Sequence, residues 1–275
     1  MEDFLVSKEE IEAALKNIDT KLKEDLTKAA KNIEKYHKQQ IRESYLINED
    51  ENILLGQLIR PLKKVGIYIP GGSAAYPSTV LMNALPAKIA GVNEIIMITP
   101  PNKQGKIKDS VLVAASIAGV NKIYKIGGAQ GIIALAFGTE SIPKVDKITG
   151  PGNIYVTVAK KLVSGYVGID MLAGPSEIMI IADKSANPKY IAADLISQAE
   201  HDKMAASILV TDWEPLIDKV ILELELQVQS LERKEIIKES LDNYGTIILT
   251  DSIDESIKIA NEIAPEHLEI LTKNP

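Results

Sequence analysis

Two short stretches of this chain bring together residue types that can do chemistry. The first is Gln198-Ala199-Glu200-His201-Asp202, expected to close a helix that runs Pro188–His201. Asn187 is a good N-cap, and Pro188 suits the first helical position, where its missing N–H costs nothing. Ile191, Leu195 and Gln198 follow at spacings of four and three, so they share one face. That face is apolar until its end, where it delivers an amide. His201 comes one turn later. An amide oxygen and an imidazole nitrogen so spaced can converge on one atom, and a borderline metal such as zinc accepts both ligand types. The same residues also read as a polar helix C-terminus, with His201 stabilised by the helix dipole. The second stretch is Ala264-Pro265-Glu266-His267-Leu268, where Pro265 ends a helix. Glu266 and His267 then sit on a helix-to-strand turn. An adjacent carboxylate and imidazole can move protons near neutral pH. An exposed loop pair is the plainer alternative.

The elements that must position these residues alternate from Val65 onward. Candidate strands are Val65–Ile69, Glu94–Thr99, Lys122–Ile126 and Val145–Thr149, with helices at Thr79–Ala90, Lys108–Gly119 and Gln130–Gly138. A second round has strands Glu177–Ala182, Ala206–Thr211, Thr246–Thr250 and Leu268–Leu271. Its helices are Pro188–His201, Pro215–Gln229, Lys234–Leu241 and Ile253–Ala264, the last opened by the capping box Ser252-Ile253-Asp254-Glu255. Short apolar strands alternating with helices imply parallel sheets covered on both faces. The fold class expected is α/β: two successive incomplete Rossmann-like doubly wound modules, 61–170 and 171–275, preceded by an N-terminal helical segment, 1–60. In that segment Ser7-Lys8-Glu9-Glu10 is a capping box, and Ile11, Leu15, Ile18, Leu22 and Leu26 form one apolar stripe that needs something to pack on. His37 lies among Lys35, Lys38 and Gln39 and reads as a surface residue.

Ligands of such sheets bind at the carboxyl ends of the strands. Three strands run into glycine turns there: Pro70-Gly71-Gly72-Ser73, Gly127-Gly128-Ala129-Gln130-Gly131 and Gly150-Pro151-Gly152-Asn153. Glycine lets backbone N–H groups approach a phosphate at a helix N-terminus. One such turn is ordinary; three at strand ends point to a nucleotide crevice. None is the Gly-x-Gly-x-x-Gly fingerprint or a phosphate loop ending in Gly-Lys-Ser/Thr.

Composition excludes several classes. A net charge of −7 gives no electrostatic case for nucleic acid or an anionic membrane. The 275 residues hold no cysteine, which removes disulfides, thiolate zinc sites and cysteine nucleophiles together. The acidic start Met1-Glu2-Asp3-Phe4 does not read as a signal peptide, and the longest apolar runs, such as Val111–Val120, fall short of a membrane span. A cytoplasmic location is expected.

Taken together these stretches resemble the histidinol dehydrogenase family. The resemblance is carried by Tyr68-Ile69-Pro70-Gly71-Gly72, Gly127-Gly128-Ala129-Gln130, Gly150-Pro151-Gly152-Asn153, Ala173-Gly174-Pro175-Ser176-Glu177, Gln198-Ala199-Glu200-His201 and Ala264-Pro265-Glu266-His267, in the family's order. It implies a homodimer that oxidises L-histidinol to L-histidine through histidinal, in histidine biosynthesis, with NAD and one zinc (Zn2+) per site. It further implies that Tyr68, Gln130 and Asn153 contact NAD, and that Ser176 contacts substrate. Gln198 and His201 would be zinc ligands that also meet the substrate. His267 would be the general base, itself in contact with substrate, and Glu266 would activate water for the second oxidation. An aldehyde oxidised without a cysteine must first be hydrated, which suits a carboxylate–imidazole pair. The family's chain continues past the point corresponding to Pro275 and supplies an aspartate and a histidine to the zinc and a glutamate to the substrate; the histidine and glutamate come from the partner subunit. Two readings follow: an NAD-dependent enzyme, or a non-catalytic remnant of that family that binds a nucleotide or a partner without turnover.

Overall fold

Ser7 and Glu10 cap each other's backbone, Glu10 N–H donating to Ser7 Oγ at 3.3 Å and Ser7 N–H to Glu10 Oε2 at 3.0 Å, and so start α1 (Lys8–Asn17). Asp19 accepts from Leu22 N–H at 2.9 Å and starts α2 (Thr20–His37), so the apolar stripe is carried by two helices rather than one. The structure is a computed structural model and describes residues 4–50, 53–71, 75–172 and 174–275. Gly72 and Ser73 of the first glycine turn, and Ala173 of the Ala-Gly-Pro-Ser motif, lie outside the described residues. The chain divides into two compact units, Met1–Ala173 and Gly174–Pro275.

In the first unit α1 and α2 are followed by β1 (Tyr45–Asp50) and β2 (Ile53–Gln57), an antiparallel pair with Tyr45 opposite Gln57 and Ile47 opposite Leu55. This corrects the expectation of helices throughout 1–60. Gly56 packs against its partner strand so closely that a Cβ there would lie 2.5 Å from the Tyr45 carbonyl oxygen. The hairpin presents apolar side chains on both faces, with Leu46 67%, Leu54 65% and Leu55 61% exposed.

A parallel sheet follows, ordered β5-β4-β3-β6-β7. Its strands are β3 (Lys64–Tyr68), β4 (Glu94–Ile98), β5 (Lys122–Tyr124), β6 (Lys147–Thr149) and β7 (Gly168–Ile169). The connecting helices are α3 (Pro77–Ile89), α4 (Asp109–Ala118), α5 (Gly128–Phe137) and α6 (Ile154–Val163). Val65, Ile67, Ile95 and Met97 bury against α3 and α4, and the N-terminal helices join that same core through Ala14, Leu26 and Ala30. Apart from Leu22, which stays exposed, the N-terminal stripe is therefore satisfied within its own unit. Ile96, Ile98, Tyr124 and Ile148 bury on the opposite face, against α5 and α6. Runs buried on both faces explain why these strands read as continuous apolar segments.

The second unit repeats the scheme with β8 (Glu177–Ala182), α7 (Pro188–Ala199), β9 (Ala206–Thr211), α8 (Pro215–Val228), α9 (Lys234–Tyr244), β10 (Gly245–Leu249), α10 (Ile253–Ile263) and β11 (His267–Leu271). The sheet is parallel, in the order β10-β9-β8-β11. Ile178, Ile180 and Leu209 face α7 and α8, while Met179, Ile181 and Val210 face α10. Among the described residues no helix is long and apolar enough to cross a membrane.

Candidate functional site

The first unit reverses strand order between β3 and β6, so the chain leaves these neighbours toward opposite faces, and the carboxyl ends of such neighbours are where open α/β sheets bind ligands. Tyr68 ends β3, and Gly150 directly follows β6. Gly150 has φ +114°, and a Cβ there would meet the Tyr68 carbonyl oxygen at 2.1 Å, so no other residue fits without displacing β3. Tyr68 is 4% exposed, and its hydroxyl accepts from Gly128 N–H, the first residue of α5, at 3.2 Å. Asn153 is the N-cap of α6, its side-chain oxygen accepting from Val156 N–H at 3.2 Å. Gln130 lies exposed in the first turn of α5. Thus the structure brings Tyr68, Gln130 and Asn153 to one pole of one sheet, beside the N-termini of two helices. Such a pole suits a pyrophosphate, so the residues fit a dinucleotide.

Two residues not singled out from sequence complete this corner. Lys160, in α6, is buried, and Asp170 follows β7. The Lys160 ammonium donates to the Asp170 carboxylate and to the Gly150 carbonyl oxygen, the latter at 3.0 Å. The other Asp170 oxygen accepts from Gly150 N–H at 2.8 Å. Asp170 carried a signal, an acid directly after a short apolar run; Lys160 carried none, lying beside Lys161 in an ordinary helix.

In the second unit the candidates gather at the amino pole of the sheet. Ser176 precedes β8, and its carbonyl accepts from Ala206 N–H at 3.1 Å. The crossover helix α7 runs back against the strands and ends at this pole. It stops at Ala199, two residues before the expected His201. Glu200 keeps a right-handed helical backbone, and His201 N–H closes a turn on the Gln198 carbonyl at 3.1 Å, which preserves the three-residue spacing. Gln198 is 6% exposed, and its Nε2 has no partner in the protein. A buried amide costs free energy unless something accepts from it or the amide is turned about to coordinate a ligand through its oxygen. His201 is exposed.

Pro265 and Glu266 form the turn, and His267 is the first residue of β11. His267 aligns with Ile178 across the parallel pair, and Ile178 buries beneath α7. Aligned residues of neighbouring strands point the same way, so His267 stands on the α7 face, at the end where α7 delivers Gln198. The residue before the motif's proline, Ala264, has φ +50°, the one positive value of a non-glycine among the described residues. Glu269 lies two residues beyond His267 on the same face. Burial, then the neighbouring Asp194 of α7, push its carboxyl above the usual glutamate range, and His267 opposes them.

Zinc is the harder fit. Gln198 and His201 offer two donors, and among the described residues no three His, Cys, Asp or Glu side chains cluster as a metal site. A catalytic zinc takes three protein ligands and an open position, so the residues present do not make its shell.

A family model described as histidinol dehydrogenase matches residues 1–275. A histidinol dehydrogenase of Clostridium acetobutylicum is 60% identical over 275 residues, covering 100% of this chain and 64% of the relative. One from Caldanaerobacter subterraneus is 58% identical over 274 residues, covering 100% of this chain and 63% of the relative. This chain therefore spans less than two thirds of the length of these curated relatives. A crystal structure of histidinol dehydrogenase from Elizabethkingia anophelis superposes with a TM-score of 0.91 at 44% identity, covering 100% of this chain and 63% of that one. An aldehyde dehydrogenase structure from Bacillus subtilis, at 14% identity and TM-score 0.59, covers 92% of this chain and 69% of that one and shares the fold alone.

Proposed function

Because the chain belongs to the histidinol dehydrogenase family, we propose that it carries the nucleotide crevice and the acid–base pair for NAD-dependent oxidation of L-histidinol to L-histidine through histidinal. One observation supports this most: Ser176, Gln198, His201, Glu266 and His267, far apart in sequence, reach the same pole of one sheet. NAD+ supplies the hydride acceptor for each of the two oxidations. Tyr68, Gln130 and Asn153 would hold it, and the first turns of α5 and α6 would offer their free N–H groups to an anion. His267 takes the hydroxyl proton of the alcohol as hydride leaves the carbon. Glu266 then draws a proton from water as it adds to the aldehyde, whose oxygen takes back the proton held by His267; the freed His267 takes the proton of the hydrate as the second hydride leaves. Ser176 and the buried Gln198 amide orient the substrate. In the complete family protein Gln198 and His201 would supply two of the zinc ligands. The substrate class is a small amino alcohol, and the working assembly is a homodimer.

The test is NADH formation from L-histidinol by the purified chain, with His267→Ala and Glu266→Gln beside it. The expected result is turnover that falls by about a hundredfold or more in His267→Ala. In Glu266→Gln the aldehyde should accumulate after one NADH. Turnover indifferent to both substitutions would sink the assignment. The incomplete zinc shell favours a second reading, nucleotide binding without turnover; a folded chain that binds NAD+ yet forms no NADH would select it.

A further inference from the structure

Lys160 is the one charged side chain in the buried class among the described residues, at 3% exposure, and nothing in the proposed chemistry uses it. A buried ammonium is unfavourable unless paired and hydrogen-bonded. A role in packing α6 alone would be served as well by an apolar residue of similar volume. The partners of Lys160 indicate a different role. Its ammonium holds the carbonyl oxygen of Gly150, while its own counter-ion, Asp170, holds the N–H of the same residue. The ion pair therefore grips both polar groups of one residue. That residue has a left-handed backbone, rests on the Tyr68 carbonyl, and leads in three residues to Asn153 and the first turn of α6. Because Asp170 neutralises Lys160 and the lysine is buried, its ammonium is not offered to a phosphate directly.

We propose that Lys160 and Asp170 are positioning residues for the nucleotide, an ion-pair clamp on Gly150 that fixes the turn from which Asn153 and the α6 N-terminus meet NAD+. The inference rests on the nucleotide reading of the crevice given above.

The experiment titrates NAD+ into the full chain by calorimetry and follows amide hydrogen exchange at Gly150–Asn153 without ligand. Variants are Lys160→Met, Asp170→Asn, the double substitution, and Val163→Ala, which opens the α6 core away from the clamp. Each is compared at a temperature where all are folded. Both single clamp variants should raise the Kd for NAD+ by about tenfold or more and speed exchange at the Gly150 amide. The double variant should recover part of the affinity, since the amide oxygen that replaces the Asp170 carboxylate can still accept from Gly150 N–H and no charge is stranded. Val163→Ala should leave Kd within about twofold. Wild-type binding that the clamp variants do not weaken, or that Val163→Ala weakens equally, would overturn the positioning role while leaving the crevice in place. A wild-type chain that binds no NAD+ would overturn the nucleotide reading and this inference with it.

Discussion

Glu269 and Asp194 face each other between β11 and α7, the two elements that carry His267 and Gln198. The Glu269 carboxyl is raised by burial and by that neighbour, so the folded chain holds its proton more tightly than the unfolded chain does. The sign follows from linkage: its stabilising contribution is full below the ordinary glutamate value of about 4.3 and is lost as pH rises through the higher folded value. Glu269→Gln keeps a hydrogen-bonding partner for Asp194 and removes the ionisation. Its melting temperature should match wild type near pH 4 and exceed it near pH 7. Equal melting curves at both values would contradict this coupling. Such pairs show how much of the site can be read from sequence. Gly150, Asn153, Gln198 and His267 sit where strand ends, caps and helix spacing point to them. Lys160 with Asp170, and Asp194 with Glu269, do not, because a charge in a sequence gives no sign of the partner folding will bring to it.

The glycine turn after β6 has a consequence at the level of elements. Replacing Gly150 with Ala adds a left-handed penalty and a collision with the β3 backbone at Tyr68, together roughly 2–5 kcal/mol. Denaturant unfolding of Gly150→Ala should show a loss of that size, with NAD+ affinity falling alongside. A loss below about 1 kcal/mol would mean that β3 and the turn yield easily. The strands that hold such turns were legible within two residues from Val65 onward, since runs buried on both faces stay apolar throughout; the two-residue β7 (Gly168–Ile169) was too short to show such a run. The β1–β2 hairpin was not. Tyr45, Ile47 and Leu55 lie on one face and Leu46 and Leu54 on the other, so the alternation that marks a half-buried strand is missing. Asn153 and Ser7 behaved as their residue types suggest, each capping a helix.

For the molecule as a whole, that hairpin is poorly satisfied by its surroundings. Burying a leucine is worth about 1.5–3 kcal/mol, and Leu46, Leu54, Leu55 and Leu58 all stand more than half exposed. An isolated two-stranded ribbon is marginal in water, so association through it is expected. Sedimentation should give an average mass that rises with concentration, and Leu46→Thr with Leu54→Thr should lower it at matched concentration. A wild-type chain that stays monomeric across the range would refute this. The two sheets also differ in which pole they use. Where a single helix joins two parallel strands it returns antiparallel to the strand before it, so it begins at the sheet's carboxyl pole and ends at its amino pole. The first unit places its candidate residues where α3, α5 and α6 begin; the second places its own where α7 and α10 end. Each helix end carries about half an elementary charge, positive where helices begin and negative where they end. One backbone plan, used at opposite poles, therefore sets opposite fields before any side chain contributes: helix ends favour negative charge at the first unit's pole and positive charge at the second's.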